Sequence, residues 1–264
     1  MRSRILFPVL SVMVLILASL ACSLPGATSS GSVPAPAGET PAANNVPASG
    51  GGSGACNNPL YPVVTGASWS YSFTGAAPGN FTRSITAVNA DGFIDQDVFA
   101  SGISRAGEWK CDAGSLIALK PDSGASNATA QSQNVSADFK TTSMDGVTLP
   151  GKVNPGDKWS HSFTLEGTVT VAGNTIPAKD QVAFSCTAAG TESVTVPAGT
   201  FNAVHMDCIS NITIIITMNG TDAPRTVSTT STMWYAPGVG MVKSDNVING
   251  SGNTTLELTA YHIP

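Results

Sequence analysis

The sequence is short of charge: only 11% of its 264 residues are Asp, Glu, Lys or Arg, against roughly a quarter in an ordinary soluble domain. The formal charge is −5, and once the segment carrying Arg2 and Arg4 is set aside, 10 Lys+Arg face 17 Asp+Glu, a net −7. Nothing here would displace phosphate counterions, so nucleic acid and anionic lipid headgroups are excluded as electrostatic partners. Histidine is scarce, with only His161, His205 and His262. No CxxC or Cys/His spacing suits a metal site, and no Gly-rich phosphate loop or Gly-x-Ser-x-Gly nucleophile turn occurs in a workable context. After the first 22 residues no apolar run is long enough to cross a bilayer, and no stretch carries a convincing apolar period of 3.6 residues.

What is present begins with an export signal. Met1-Arg2-Ser3-Arg4 is basic, Ile5–Leu20 is apolar, and Ala21-Cys22 ends the segment on small residues, the three parts of a secretory signal. The stretch Leu17-Ala18-Ser19-Leu20-Ala21-Cys22 resembles the bacterial lipobox. That resemblance implies cleavage before Cys22 and diacylation of its thiol through a thioether, as in a palmitate-bearing lipoprotein. It departs from the pattern in having Ser19, not Leu, three residues before the cysteine. Residues 23–55 are nearly all Ala, Gly, Ser, Pro, Thr and Val. They cannot bury enough surface to offset their ordering entropy, and so read as a disordered spacer. As a flexible coil, that spacer holds the rest on the order of 30 Å from the anchor.

Removing Cys22 leaves Cys56, Cys111, Cys186 and Cys208, an even set in an exported chain, so two disulfides are expected. Val182, Phe184 and Cys186 share one face of a strand, and Val204, Met206 and Cys208 share one face of another. Cys186 can therefore meet Cys208, and Cys56 is left for Cys111.

Residues 56–264 are expected to form one all-β domain, a strongly curved antiparallel sheet or partial barrel with little helix. Runs rich in Thr, Val, Ile and Phe mark strands at Trp69–Phe73, Phe81–Val88, Asp95–Ala100, Leu116–Leu119, Lys158–Leu165, Thr168–Val171, Gln181–Cys186, Glu192–Val196 and Leu256–His262. Gly, Asn, Asp and Pro clusters separate them, among them Asn89–Gly92, Asn154–Asp157 and Asn219-Gly220. From Val204 to Met218 apolar or neutral residues hold a period of two over 15 residues, about 50 Å if straight. A domain of this mass is scarcely that wide, so the strand must wrap or be interrupted by a bulge. Asn219-Gly220 and the loop after it then turn the chain into Thr226–Tyr235.

Gly66-Ala67-Ser68-Trp69-Ser70-Tyr71-Ser72-Phe73 and Gly156-Asp157-Lys158-Trp159-Ser160-His161-Ser162-Phe163 align without gaps. Two similar halves would produce this, and so would a good strand-starting signal used twice.

Three motifs taken together look familiar: Gly-x-x-Trp-Ser-Tyr at 66–71, Val196-Pro197-Ala198-Gly199-Thr200-Phe201, and Trp234-Tyr235-Ala236-Pro237-Gly238-Val239-Gly240-Met241-Val242-Lys243. They resemble the TapB-like domains of bacterial envelope proteins, which are similar to domains of unknown function with a curved antiparallel sheet. More remotely, such a sheet on a lipoprotein is similar to the lipoprotein carrier and sorting folds, whose concave face holds acyl chains; that step is analogy of fold.

For chemistry the residues offer little. His205 with Asp207 could orient an imidazole, but no motif identifies a nucleophile, and a surface pair is the plainer reading. Asp91, Asp95 and Asp97 resemble a fragment of a calcium loop without its spacing or terminal glutamate, which favours a solvated turn. Trp234 and Tyr235 are candidate binding residues. The expectation is therefore a non-enzymatic, lipid-anchored envelope protein without cofactor or metal. Its curved sheet would bind an apolar ligand or an envelope protein; the alternative is a structural component with a filled sheet.

Overall fold

The computed structural model describes residues 54–75, 78–120, 135–171, 173–218, 220–249 and 252–264. The signal segment, Cys22 and the spacer up to residue 53 lie outside the described residues.

Twelve strands form one antiparallel sheet: β1 Ser68–Gly75, β2 Gly79–Val88, β3 Gly92–Phe99, β4 Ser104–Asp112, β5 Ser115–Lys120, β6 Val135–Gly146, β7 Lys158–Val171, β8 Asn174–Val196, β9 Gly199–Met218, β10 Thr221–Ala236, β11 Gly240–Ile248 and β12 Gly252–His262. Among the described residues there is no α-helix, only a 3₁₀ turn at Gly54–Cys56. The order across the sheet is β5-β4-β3-β2-β1-β12-β11-β10-β9-β8-β7-β6. Except for β5 and β6, which stand at the two edges, every strand thus lies beside its neighbours in sequence, and β1 pairs with β12 to join the two ends of the chain.

The remaining edges, β5 and β6, nearly meet. Leu116 N–H donates to the Leu149 carbonyl at 2.8 Å, and the N–H groups of Thr148 and Leu149 donate back to the Leu116 carbonyl at 2.9 and 3.0 Å. Thr141 Oγ1 donates to the Leu119 carbonyl at 2.7 Å. The sheet is therefore a nearly closed, up-and-down barrel whose seam is sealed by a few bonds in place of a ladder, and closure protects edge groups that would otherwise be free to pair with other chains.

The alternation of side chains decides which face is inside. In β7, Trp159, His161, Phe163 and Leu165 point inward, while Lys158, Ser160, Ser162 and Thr164 point out. A barrel that is polar outside and apolar inside is the reverse of a membrane-spanning one. No helix among the described residues is long and apolar enough to cross a membrane.

The main core fills the end of the barrel near the chain's start. Trp69, Tyr71, Ile85, Phe93, Val242 and Leu258 are each no more than 2% exposed. Trp69 Nε1 donates to the Val239 carbonyl at 2.6 Å, so the buried indole keeps its hydrogen bond. Tyr61 stacks on Trp69, Phe93 and Trp109. An aromatic side chain of this size removes about 200 Å² from water, worth on the order of 5 kcal/mol as an upper bound.

The long hairpin β8–β9 explains how a strand of 20 residues fits a small domain. Ala189 bulges out of the ladder between Ala188 and Gly190, and the hairpin tip folds onto β12. There Ala198 N–H donates to the Leu258 carbonyl at 3.0 Å and Phe201 meets Tyr261 edge-on. Of the alternatives the sequence offers for Val204–Met218, wrapping is the one that occurs: that stretch keeps its register on both sides, and the bulge lies in its partner β8. The strands expected at Lys158–Leu165 and Thr168–Val171 are one strand, as are Gln181–Cys186 and Glu192–Val196.

Cys56 is bonded to Cys111 and Cys186 to Cys208. The second pair joins directly opposed residues of β8 and β9. The two Gly-x-x-Trp segments start β1 and β7, with Gly66 at φ 87° and Gly156 at φ 88°, backbone that glycine adopts without strain. Each indole donates to a loop carbonyl, Trp69 to Val239 and Trp159 to Thr148.

One expectation is corrected. Asp95 and Asp97 do not belong to a solvated turn; they lie in β3, 0% and 1% exposed. The cause is Arg83 on β2, opposite Asp97 in the ladder and also directed inward. Its Nε and terminal nitrogen bind Asp97 at 2.7 and 2.8 Å, with Asp95 3.7 Å from Nε. Asp91 remains in the exposed turn.

Candidate functional site

Beyond the main core, the inner face of β7, β8 and β9 continues as an apolar wall. Strand alternation places Phe163 and Leu165 of β7, Val182 of β8, and Ile212, Ile214 and Ile216 of β9 on this face, in register across the ladder. Phe163, Leu165 and Ile216 are buried, and the others are half-buried. None of the six belongs to the main core cluster, so the barrel has two apolar regions stacked along its axis.

One carboxylate interrupts the wall. Asp180 sits between Leu165 and Ile214 in the row Thr141–Leu165–Asp180–Ile214–Arg225. Its Oδ1 is buried without a hydrogen-bond partner, and burial alone pushes its pKa up to about 6. The adjacent Lys179 points to the other face, where it pairs with Glu166 at 2.8 Å. Asp180 is invisible to the sequence reading, which starts this strand at Gln181, one residue later, because Pro177, Lys179 and Asp180 resemble a loop.

The sequence candidates lie elsewhere. Trp234 and Tyr235 are neighbours in β10 and therefore face opposite sides of the sheet, so they do not form one site. Trp234 is on the outer face, where Nε1 donates to Glu192 Oε1 at 2.5 Å, His205 stacks on its ring at 5.4 Å and Lys243 Nζ lies 5.1 Å from the ring centroid. Tyr235 packs against the core, and burial raises its pKa. His205 Nε2 lies 3.1 Å from Asp207 and Nδ1 3.4 Å from Glu192, a surface cluster of mutually satisfied groups. His262 is exposed near the end of β12.

His161 is a core histidine: Nδ1 is 2.9 Å from Thr148 Oγ1, Nε2 is buried without a partner, and burial lowers its pKa against the opposing pull of Asp145. A shallow outer groove of about 550 Å³ runs over Ser185, Ile209, Thr230 and Val247. It is the place where Ile209 and Val247 are 50% and 45% exposed.

A family model described as DUF3108-like matches residues 101–255, more than half of the chain, and the chain belongs to the DUF3108-like family. The match takes in Val196–Phe201 and Trp234–Lys243 but not Gly66–Phe73; it establishes the DUF3108-like family and does not bear on the TapB-like resemblance. No curated protein matches the chain.

Among solved structures, a Bacteroides fragilis protein named as exported and of YmcC-like fold is 18% identical, with 77% of this chain and 98% of that one covered and a TM-score of 0.49. A Parabacteroides distasonis protein named as a lipoprotein is 16% identical, with 78% and 99% covered and a TM-score of 0.49. The hypothetical lipoprotein YmcC of Escherichia coli is 8% identical, with 73% and 83% covered and a TM-score of 0.31.

Proposed function

We propose that this DUF3108-like protein is an exported, lipid-anchored, non-enzymatic component of a bacterial envelope. In this reading it holds an elongated apolar ligand against the inner wall of β7–β9. The observation that carries the proposal is the second apolar region: Phe163, Leu165, Val182, Ile212, Ile214 and Ile216 continue the inner face beyond the main core without joining it. A barrel needs one packed core for stability, and a further apolar wall with a single polar group set in it has the composition of a small-molecule site. The signal and the Cys22 lipobox support the envelope location, and the polar outer face supports a barrel that stands in water beyond its anchor.

A structural role is the second reading, favoured by the way the main core fills its end of the barrel with Trp69, Tyr71 and Phe93. The two are separated by titrating the full chain carrying Cys22→Ser, which lacks acyl chains, with the apolar fluorophore N-phenyl-1-naphthylamine. The carrier reading expects saturable enhancement that falls at least tenfold in affinity with Ile214→Asp. Non-saturable enhancement, or an Ile214→Asp variant that binds as well, supports the structural role instead.

A further inference from the structure

We infer that Asp180 selects the head of the bound molecule, so that the inner wall takes an amphiphile with a protonated amine at the end of an apolar chain. The inference rests on the carrier reading above and adds the chemical class of its ligand. The observation is a juxtaposition: Asp180 Oδ1 is buried without a hydrogen-bond partner between two apolar neighbours, Leu165 and Ile214. A buried oxygen that accepts nothing is costly, and a protein retains such a group where a ligand, an ion or a water completes it.

The surrounding charges favour a cation. Lys179 is turned away and engaged with Glu166. Arg225 lies in the same row but two strands off, exposed on β10, and forms no ion pair with Asp180 among the described contacts. Thr141, on the far side of Leu165, already donates its hydroxyl to the Leu119 carbonyl. Asp180 therefore presents unopposed negative charge to the inside. An ammonium head would supply both the missing donor and the countercharge, whereas a fatty carboxylate would bring like charges together. From Val182 to Ala178 the wall runs about 13 Å along β8 with Asp180 at its middle, opposite Ile214, so a straight chain whose head sits at Asp180 runs from Ile214 along one half of the wall, past Ile212 or past Ile216.

The test uses the Cys22→Ser full chain at pH 7.5 with bound N-phenyl-1-naphthylamine, displaced by dodecylamine, dodecanol or dodecanoate, each below its micellar concentration. Dodecylamine is expected to displace the probe at concentrations at least tenfold lower than dodecanoate, with dodecanol between them. In Asp180→Asn and Asp180→Leu, whose folding is checked by circular dichroism, that preference is expected to collapse to within about twofold. Equal displacement by all three in the unsubstituted wall, or a preference that survives both substitutions, overturns the role of Asp180 while leaving the apolar-ligand reading in place. Failure of all three to displace the probe overturns both.

Discussion

Arg83 grips Asp97 with two nitrogens inside the barrel, Nε to Oδ1 at 2.7 Å and a terminal nitrogen to Oδ2 at 2.8 Å. Removing one partner of a buried pair strands the other charge. Asp97→Ala is therefore expected to lose about 3–5 kcal/mol of stability in urea unfolding. Because Asp95 is buried beside the same guanidinium, joint replacement of all three by Arg83→Met, Asp95→Leu and Asp97→Leu should recover much of that loss. A mild Asp97→Ala phenotype would mean that Asp95, already 3.7 Å from Nε, or water takes over as the partner of Arg83.

Asp180 should make stability depend on pH in a definite direction. Its pKa of about 6 in the folded protein lies above the ordinary carboxylate value near 3.9, so the folded state holds the proton more tightly. The stabilisation is complete below about pH 4 and is lost as pH rises through 6. Asp180→Asn should consequently be more stable than the parent at pH 7.5 by about 1–3 kcal/mol, with the difference gone by pH 4. Parallel urea curves at the two pH values read this directly, and a variant equally stabilised at both would contradict it.

The two disulfides should contribute unequally. Cys56 and Cys111 are 55 residues apart and Cys186 and Cys208 only 22, so loop-closure entropy assigns them about 4 and about 3 kcal/mol. Paired Cys→Ala replacements, compared by thermal unfolding, should rank in that order. The reverse order would show that the β8–β9 pairing, not the denatured chain, sets the effect.

Much of this fold is legible in the sequence because its punctuation is local. Gly66 and Gly156, the Asn154–Asp157 turn and the unbroken period of two through Val204–Met218 announce strands wherever they are read. β4 and β6 are not legible as strands in the sequence. Ser104–Asp112 carries Arg105, Glu108, Lys110 and Asp112, and Val135–Gly146 is mostly polar; each is a strand because neighbouring strands supply the ladder, a tertiary cause that a local window does not contain. The same limit hid the interior ion pair: Asp95 and Asp97 read as surface residues until Arg83 is placed opposite them. It also hid Asp180, whose meaning comes wholly from Leu165 and Ile214 on either side. Trp234–Tyr235 fails as a joint site for the simplest reason, the alternation of a strand.

The proposed attachment to a membrane rests on one thiol. Cys22→Ser, expressed in a bacterial host, should move the protein from the membrane to the soluble extracytoplasmic fraction and abolish palmitate labelling. Continued membrane association without label would make the apolar segment Ile5–Leu20 an uncleaved anchor.

The central claim, that the barrel carries an apolar molecule, is tested most directly by native mass spectrometry of the protein purified from its own host. The account predicts a reproducible added mass that is reduced in Ile214→Asp. A spectrum showing only the bare acylated chain, preparation after preparation, would contradict it.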